Sequence, residues 1–357
     1  MATPKIFITG ATGYIGGDTL HVLYEKHPDW NYAALVRTEQ KAEPVKNAFP
    51  KVRIVIGNLD DADILEKEAA AADVVIQTDT ADASDNEPAA RAIAKGLAQH
   101  TKQKPGFWLH TGGTGILAWE DMRDMDNRLG THSDRTYNDW AGVQDLTSLP
   151  SDAFHRNIDE LVLEAGRNGG QGGGIRTAIV CPPTIFGRGR GPSNARSRQA
   201  YEMAKFILKE KYVPIIGKGE TLWNNVHVHD LSELFVLLAE AAVSGKRNDD
   251  EELWGEKGYF LTDAAEHKWA DLARKMGEKA VELGLVKTDG GAKLEEKKLA
   301  KQEALDRAGF EAVSWGLNSR GKAERGNKTV GWVPNKGKIE DYVEEILKDE
   351  KERLDQE

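Results

Sequence analysis

Thr9-Gly10-Ala11-Thr12-Gly13-Tyr14-Ile15-Gly16 stands between a β-branched run at 6–9 and a segment in which Ile15, Leu20 and Leu23 share one helical face. Three glycines at this spacing, between a strand and a helix, describe a turn that binds a dinucleotide. Gly10 lets the chain reverse sharply, Gly13 lets the backbone approach a pyrophosphate, and Gly16 lets helix and strand pack closely. The phosphates then lie on the helix N-terminus, with its unpaired N–H groups and positive dipole end. Thr12, Tyr14 and Ile15 in the same turn are candidate cofactor contacts.

Outward from this turn, short β-branched runs alternate with longer helical patterns up to about residue 185. Strands are expected at 6–9, 32–36, 53–56, 74–77, 107–110 and 177–180, with helices at 15–26, 61–71, 88–103 and 152–167. Asn86 and Pro88 suit the cap and first turn of the third helix. The alternation predicts an α/β fold, a Rossmann-type doubly wound parallel sheet. About twenty residues beyond Gly16, the second strand ends in Leu35-Val36-Arg37-Thr38. An NAD site places an acid there for the ribose 2′-hydroxyl, whereas Arg37 offers a planar cation to a 2′-phosphate; NADP(H) is the expected cofactor, with NAD possible.

Residues 115–150 scatter Trp119, Tyr137 and Trp140 among Asp, Asn, Gly and Ser without a period, as a functional or mobile loop would. The run 169–174 is glycine-rich but has no Lys-Ser/Thr sequel and no following helix, so it reads as a flexible turn. Beyond 186 the pattern is mixed: a helix at about 195–210, a turn at 217–220, a strand at 225–228 and a helix at 230–243. Residues 264–306 have the composition of a solvated helix, and Ile339, Tyr342, Val343 and Ile346 form one apolar stripe ahead of a charged tail. This divides the chain into a nucleotide-binding domain at 1–185, to which 225–245 returns, a smaller mixed substrate-binding subdomain at 186–224 and 246–335, and a terminal helix and tail at 336–357.

The 357 residues carry 48 Lys+Arg against 58 Asp+Glu, a net charge of −10, which leaves no basic footprint for nucleic acid or an anionic membrane. A lone cysteine, Cys181, cannot form an intrachain disulfide, so a cytoplasmic protein is expected. With the first strand expected from residue 6, no leader is expected, and no stretch approaches 18 apolar residues.

Further motifs carry a family resemblance. Gly57-Asn58-Leu59-Asp60, the fourth-strand end Val75-Ile76-Gln77-Thr78, Cys181-Pro182-Pro183-Thr184-Ile185-Phe186-Gly187, Asn225-Val226-His227-Val228-His229-Asp230-Leu231 and Gly331-Trp332-Val333-Pro334 stand in this order. In these motifs the chain resembles the extended short-chain dehydrogenases/reductases, the NAD-dependent epimerases, dehydratases and hydroxysteroid dehydrogenases. The resemblance implies cofactor contacts from Asn58, Leu59, Thr78, Thr111, Pro182, Thr184 and Ile185. It also implies a Ser/Thr and a Tyr-x-x-x-Lys pair, in which lysine lowers the tyrosine pKa and holds the nicotinamide ribose. Here alignment puts Gly113 at the serine, Ser151 at the tyrosine and His155 at the lysine, so all three groups are replaced. His155 becomes the expected ribose anchor and proton donor, with Ser151, Thr111 or Thr114 completing a relay and Tyr137 reaching in from the long loop.

Where the sugar-nucleotide members carry an arginine for the substrate pyrophosphate, this chain has Trp223-Asn224-Asn225. Trp223 and Asn225, with Trp119 and Trp140, are expected at a small, uncharged, flat or hydroxylated substrate; the alternative for Trp223 is the core. His227 and His229 share a strand face, but no third ligand is near and no metal is expected. Arg188, Arg190, Arg196 and Arg198 serve either an anion or only a solvated loop. By family analogy the helices at 88–103 and 152–167 are a candidate homodimer face. Two functions follow: an NADP(H)-dependent oxidoreductase for a small or medium organic carbonyl or alcohol with a non-standard proton relay, or a non-catalytic nucleotide-binding module that senses redox state or acts as a scaffold.

Overall fold

The computed structural model describes residues 3–78, 86–169 and 173–357. The six expected strands are present: β1 (Lys5–Thr9), β2 (Asn31–Val36), β3 (Arg53–Ile56), β4 (Val74–Gln77), β5 (Gly106–Thr111) and β6 (Ile175–Cys181). A seventh, β7 (Tyr259–Leu261), completes an all-parallel sheet in the order β7-β6-β5-β4-β1-β2-β3. Order reverses between β1 and β4, so the carboxyl ends of these two strands flank the crevice where open α/β sheets bind ligands.

Both faces of the sheet are covered, which is why its strands are apolar almost throughout. Ile6 and Ile8 of β1 point into one core with α1 (Tyr14–Lys26) and the helix Val228–Val243, while Phe7 points into the other with Leu65, Ile93 and Ile158. Each of these side chains, being almost fully buried, contributes roughly 1.5–3 kcal/mol. A third core gathers Tyr201, Phe206, Trp223, Trp269, Trp315 and Ile346 from the later chain. The terminal stripe docks there: Ile339, Val343 and Ile346 are buried, and Tyr342 packs against them at partial exposure.

Several expectations are corrected. After α2 (Glu39–Ala48) and α3 (Ala62–Ala71), the helix expected at 88–103 is α4, which runs only Glu87–Leu97, capped by the Asn86 side chain at 2.9 Å from the Ala89 amide. The helix expected from 152 starts at Arg156, because Ala153 and Arg156 close turns onto the carbonyls of Pro150 and Ala153. A helix at Glu39–Ala48, capped by Thr38, went unread because only Ala42 and Val45 of its residues are buried. Residues 264–306 are not one solvated helix: they hold strands Ala265–Lys268 and Glu296–Leu299 and two helices, Trp269–Glu282 and the start of Lys301–Ser314. The first of these helices buries Trp269, Leu272, Ala273 and Met276, a helical stripe hidden within a charged composition. The glycine-rich turn falls partly on residues 170–172, which lie outside the described residues.

Candidate functional site

In the glycine turn, Gly10 holds φ +76°, a left-handed conformation that favours glycine, and its carbonyl accepts from the Gly13 amide at 2.8 Å. A Cβ on Gly16 would stand 2.2 Å from Thr78 Oγ1 and 2.4 Å from the Gly10 carbonyl oxygen, so this glycine locks α1 against the ends of β1 and β4. A Cβ on Gly13 would meet only Gly10, at 3.0 Å from its oxygen. Gly13 is also the N-cap of α1, which has no side-chain cap and no acid in its first turn. An uncapped helix start beside an open glycine is a fit for a diphosphate.

Around the turn, the other expected cofactor residues gather at the carboxyl ends of the strands. Thr78 donates from its hydroxyl to the Thr9 carbonyl at 2.7 Å and ties β4 to β1. Arg37 is exposed at the end of β2. Asn58 closes its own turn, its side chain accepting from the Asp60 amide at 2.7 Å, and Leu59 is half-buried beside it. The Pro182 carbonyl accepts from Thr114 N at 2.9 Å, joining the segments that leave β5 and β6. Thr184 donates to Gln199 at 2.7 Å, and with Ile185 it forms part of a short strand, Thr184–Phe186, beside Leu222–His227. Thr9, Thr111 and Thr114 have buried hydroxyls with no partner among the described residues, which suits a polar ligand along this row.

The segment after this strand is fastened to α1. The Tyr14 hydroxyl donates to the Gly187 carbonyl at 2.5 Å. Asp18, fully buried on α1, receives Arg190 through Nε at 3.0 Å, Nη2 at 2.6 Å and the backbone amide at 2.7 Å. Burial works to raise the Asp18 pKa, but these bonds outweigh it and hold the carboxyl below its ordinary value. Arg196 pairs with Glu350 and Glu202, and Arg198 with Glu311. These arginines therefore pin the segment rather than wait for an anion. Asp18→Asn should cost about 1–3 kcal/mol in chemical unfolding; a stability equal to the parent would dismiss the pair as a fastener.

His227 and His229 are occupied as well. His227 Nδ1 accepts from the His229 amide, and His229 Nε2 donates to the Arg188 carbonyl, each at 3.0 Å. Two family motifs meet at Asp230: its carbonyl receives Trp332 Nε1 at 2.7 Å, and its carboxylate receives the amides of Asn335 and Lys336.

The catalytic candidates are only partly brought together. His155 is half-buried at the N-cap of α5 (Arg156–Asn168), in a left-handed conformation at φ +64°, its ring against Phe154 with centroids 3.5 Å apart. A Cβ on Gly113 would lie 3.8 Å from His155 Cδ2, so the imidazole stands at Gly113, in the segment that leaves β5. Ser151 is exposed in the turn before α5, and since 151–155 is not helical it does not share a helix face with His155. Tyr137 is buried, accepts from Trp119 Nε1 at 2.8 Å and lies under Arg135; burial raises its pKa, the reverse of an activated phenol. Trp140 is covered by Arg325 and Lys328 at 5.0 and 5.2 Å. Residues 114–147 are thus short helices and a strand, anchored by Asp139 on the amides of Leu261, Glu324 and Arg325.

Trp223 lies in the third core, edge-on to Trp269 at 6.1 Å, so packing accounts for it. Asn225 is fully buried, its amide held by His267 at 3.0 Å and the Ile339 amide at 3.3 Å. Neither needs a substrate to explain it. Sequence reasoning missed Asp159, one turn beyond His155, and Tyr259 on β7, whose hydroxyl donates to Asp159 at 2.8 Å. The signal for Asp159 was an acid on the apolar face of its helix; β7 gave none.

An NAD(P)H-binding family model matches residues 10–104, and the model of the NAD dependent epimerase/dehydratase family matches 155–251. The chain is 35% identical over 357 residues to oxidase ucsJ of Acremonium sp, covering 99% of each. It is 24% identical over 286 residues to 3 beta-hydroxysteroid dehydrogenase/Delta 5-->4-isomerase of Mycobacterium tuberculosis, covering 77% of this chain and 69% of that protein. Among solved structures, dTDP-glucose 4,6-dehydratase of Streptomyces venezuelae, with NAD and TYD bound, superposes with a TM-score of 0.61 at 16% identity, over 99% of this chain and 98% of that one.

Proposed function

Because the chain belongs to the extended short-chain dehydrogenases/reductases, the family of NAD-dependent epimerases and dehydratases, we propose that it is an NADP(H)-dependent oxidoreductase acting on an uncharged organic carbonyl or alcohol, with His155 in the role of the family's lysine. The observation that carries the reading is the half-buried imidazole of His155 beside Gly113, on the same strand-end row as the open glycine turn. A bound nicotinamide supplies or accepts the hydride. The backbone of the glycine turn and the start of α1 hold the diphosphate. An imidazole N–H of His155 would donate to a ribose hydroxyl, and the ring would deliver or receive the substrate proton. The buried Thr111 and Thr114 hydroxyls, which have no partner among the described residues, would extend that hydrogen-bond chain.

The substrate class rests on what surrounds His155. Arg190, Arg196 and Arg198 after β6 are engaged by Asp18, Glu350 and Glu311, so these three do not clamp a diphosphate. Phe154 links His155 to Phe310, a side chain 43% exposed, at a ring distance of 5.9 Å. This aromatic edge favours an apolar ligand. The oxidase name of the Acremonium relative also supports redox chemistry. A spectrophotometric screen of NADPH oxidation across aldehydes, ketones and enones tests the reading; cofactor binding without turnover of any class would favour a non-catalytic nucleotide-binding role.

The preference for NADP(H) is proposed from Arg37, a cation at the second strand end where an acid would select NAD. Arg37→Ala should lose about 1–3 kcal/mol of the preference for NADPH over NADH, the scale of a hydrogen bond to a charged group. Parallel titrations of parent and variant measure it, and an unchanged ratio would remove Arg37 from the site.

A further inference from the structure

His110 and Asp159 face each other beneath the strand-end row, each 1% exposed, with Nε2 and Oδ1 4.0 Å apart and neither atom partnered among the described residues. Their neighbours fix their protonation. Gln77 Oε1 receives the indole N–H of Trp108 at 3.1 Å, so that atom is an acceptor; His110 Nδ1, 3.0 Å from the same oxygen, must therefore be the donor. Burial, helped by the charge of His155, pushes the His110 pKa down to about 3, so the ring is neutral and Nε2 carries a lone pair. Asp159 Oδ2 is taken by the Tyr259 hydroxyl. Two acceptors thus confront each other, with no donor between them among the described residues.

We propose that a water molecule held between His110 Nε2 and Asp159 Oδ1 makes these two side chains one proton-holding site beneath His155. A water about 2.8 Å from both atoms would see them at roughly a right angle, close to the angle between its own O–H bonds, and could donate to each. Gly112 leaves room: a Cβ there would stand 3.3 Å from Asp159 Oδ1. Burial raises the Asp159 pKa to about 6, so the pair gains one proton just below neutral pH. The groups facing it do not compete. Tyr259 of β7 and Cys181 of β6 are pushed up by burial and stay neutral, while on α5 Arg156 favours the Asp159 carboxylate and Glu160 opposes it.

Asp159 lies one turn along α5 from His155. The repulsion between charged His155 and His110 is reciprocal, so a proton on the pair is felt at His155. This link to turnover rests on the proposed role of His155, but the proton site does not, so it is tested on the protein without cofactor.

A crystal structure at pH 7 should show an ordered water within about 3.2 Å of both atoms; an empty gap or a direct His110–Asp159 contact would overturn the proposal. The second readout is the pH profile of Asp159→Asn. In the parent, a carboxyl whose pKa rises on folding contributes stability that is present in acid and lost as pH climbs through about 6. Asparagine cannot ionise, so the midpoint of the variant relative to the parent should rise by a few degrees between about pH 4 and 7, then level off. A constant difference, whatever its size, would contradict the proton site. Tyr259→Phe, which removes the donor to Asp159, should move the levelling point to higher pH, and an unmoved point would contradict the network. If NADPH fails to bind while these results hold, the functional reading falls and the proton site stands.

Discussion

Gly13→Val should abolish measurable NADPH binding, by a factor of at least ~100, while leaving the thermal midpoint within a few degrees of the parent. The first half follows because two or three charge-assisted hydrogen bonds from the start of α1, each worth about 1.5–3 kcal/mol, need the space that a side chain would fill. The second follows from the local geometry: an added Cβ meets only Gly10, at 3.0 Å from its oxygen, and the N-cap φ of −85° suits any residue. Gly16→Ala is the contrast, because its Cβ would strike Thr78 Oγ1 at 2.2 Å and should cost stability as well as binding. Fluorescence titration together with a melt separates the two. Normal binding by Gly13→Val would put the phosphates elsewhere.

His155→Ala should weaken NADPH binding and lower hydride transfer at least tenfold, the low side of the effect of a positioned acid–base group. The fold should survive, since His155 already occupies a left-handed conformation that alanine adopts at a similar cost, and it makes no side-chain cap to α5. His155→Lys provides the check on role. If the imidazole acts chiefly as a ribose anchor, lysine at this position should retain binding far better than alanine. Unchanged affinity and turnover in both variants would remove His155 from the site and return the weight to Thr111, Thr114 and the segments around Tyr137.

The sheet was legible because its physics is local. Strands buried on both faces read as apolar runs, and β3 and β4 lie where their sequences place them, at 53–56 and 74–77. β7 was illegible because three residues, Tyr259-Phe260-Leu261, make too short a run to carry a period. The helix Trp269–Glu282 was masked by its lysines and glutamates, although Trp269, Leu272 and Met276 mark its buried side. At the site, glycine roles could be read because steric demand at a turn follows from one residue type. Pairings across the chain could not: Arg190 meets Asp18 172 positions away, and Tyr259 meets Asp159 100 positions away. Trp223 shows the reverse error, an aromatic beside a motif that the third core claims for packing.

Calorimetric titration of the purified protein with NADPH and, in parallel, NADH tests the central claim most directly. Saturable binding of NADPH, tighter than NADH by about 5- to 150-fold for an Arg37 contact of 1–3 kcal/mol, is the predicted result. No saturable heat with either nucleotide would contradict the claim that the turn at 9–16 is a nicotinamide-dinucleotide site, and equal affinities would contradict the part assigned to Arg37.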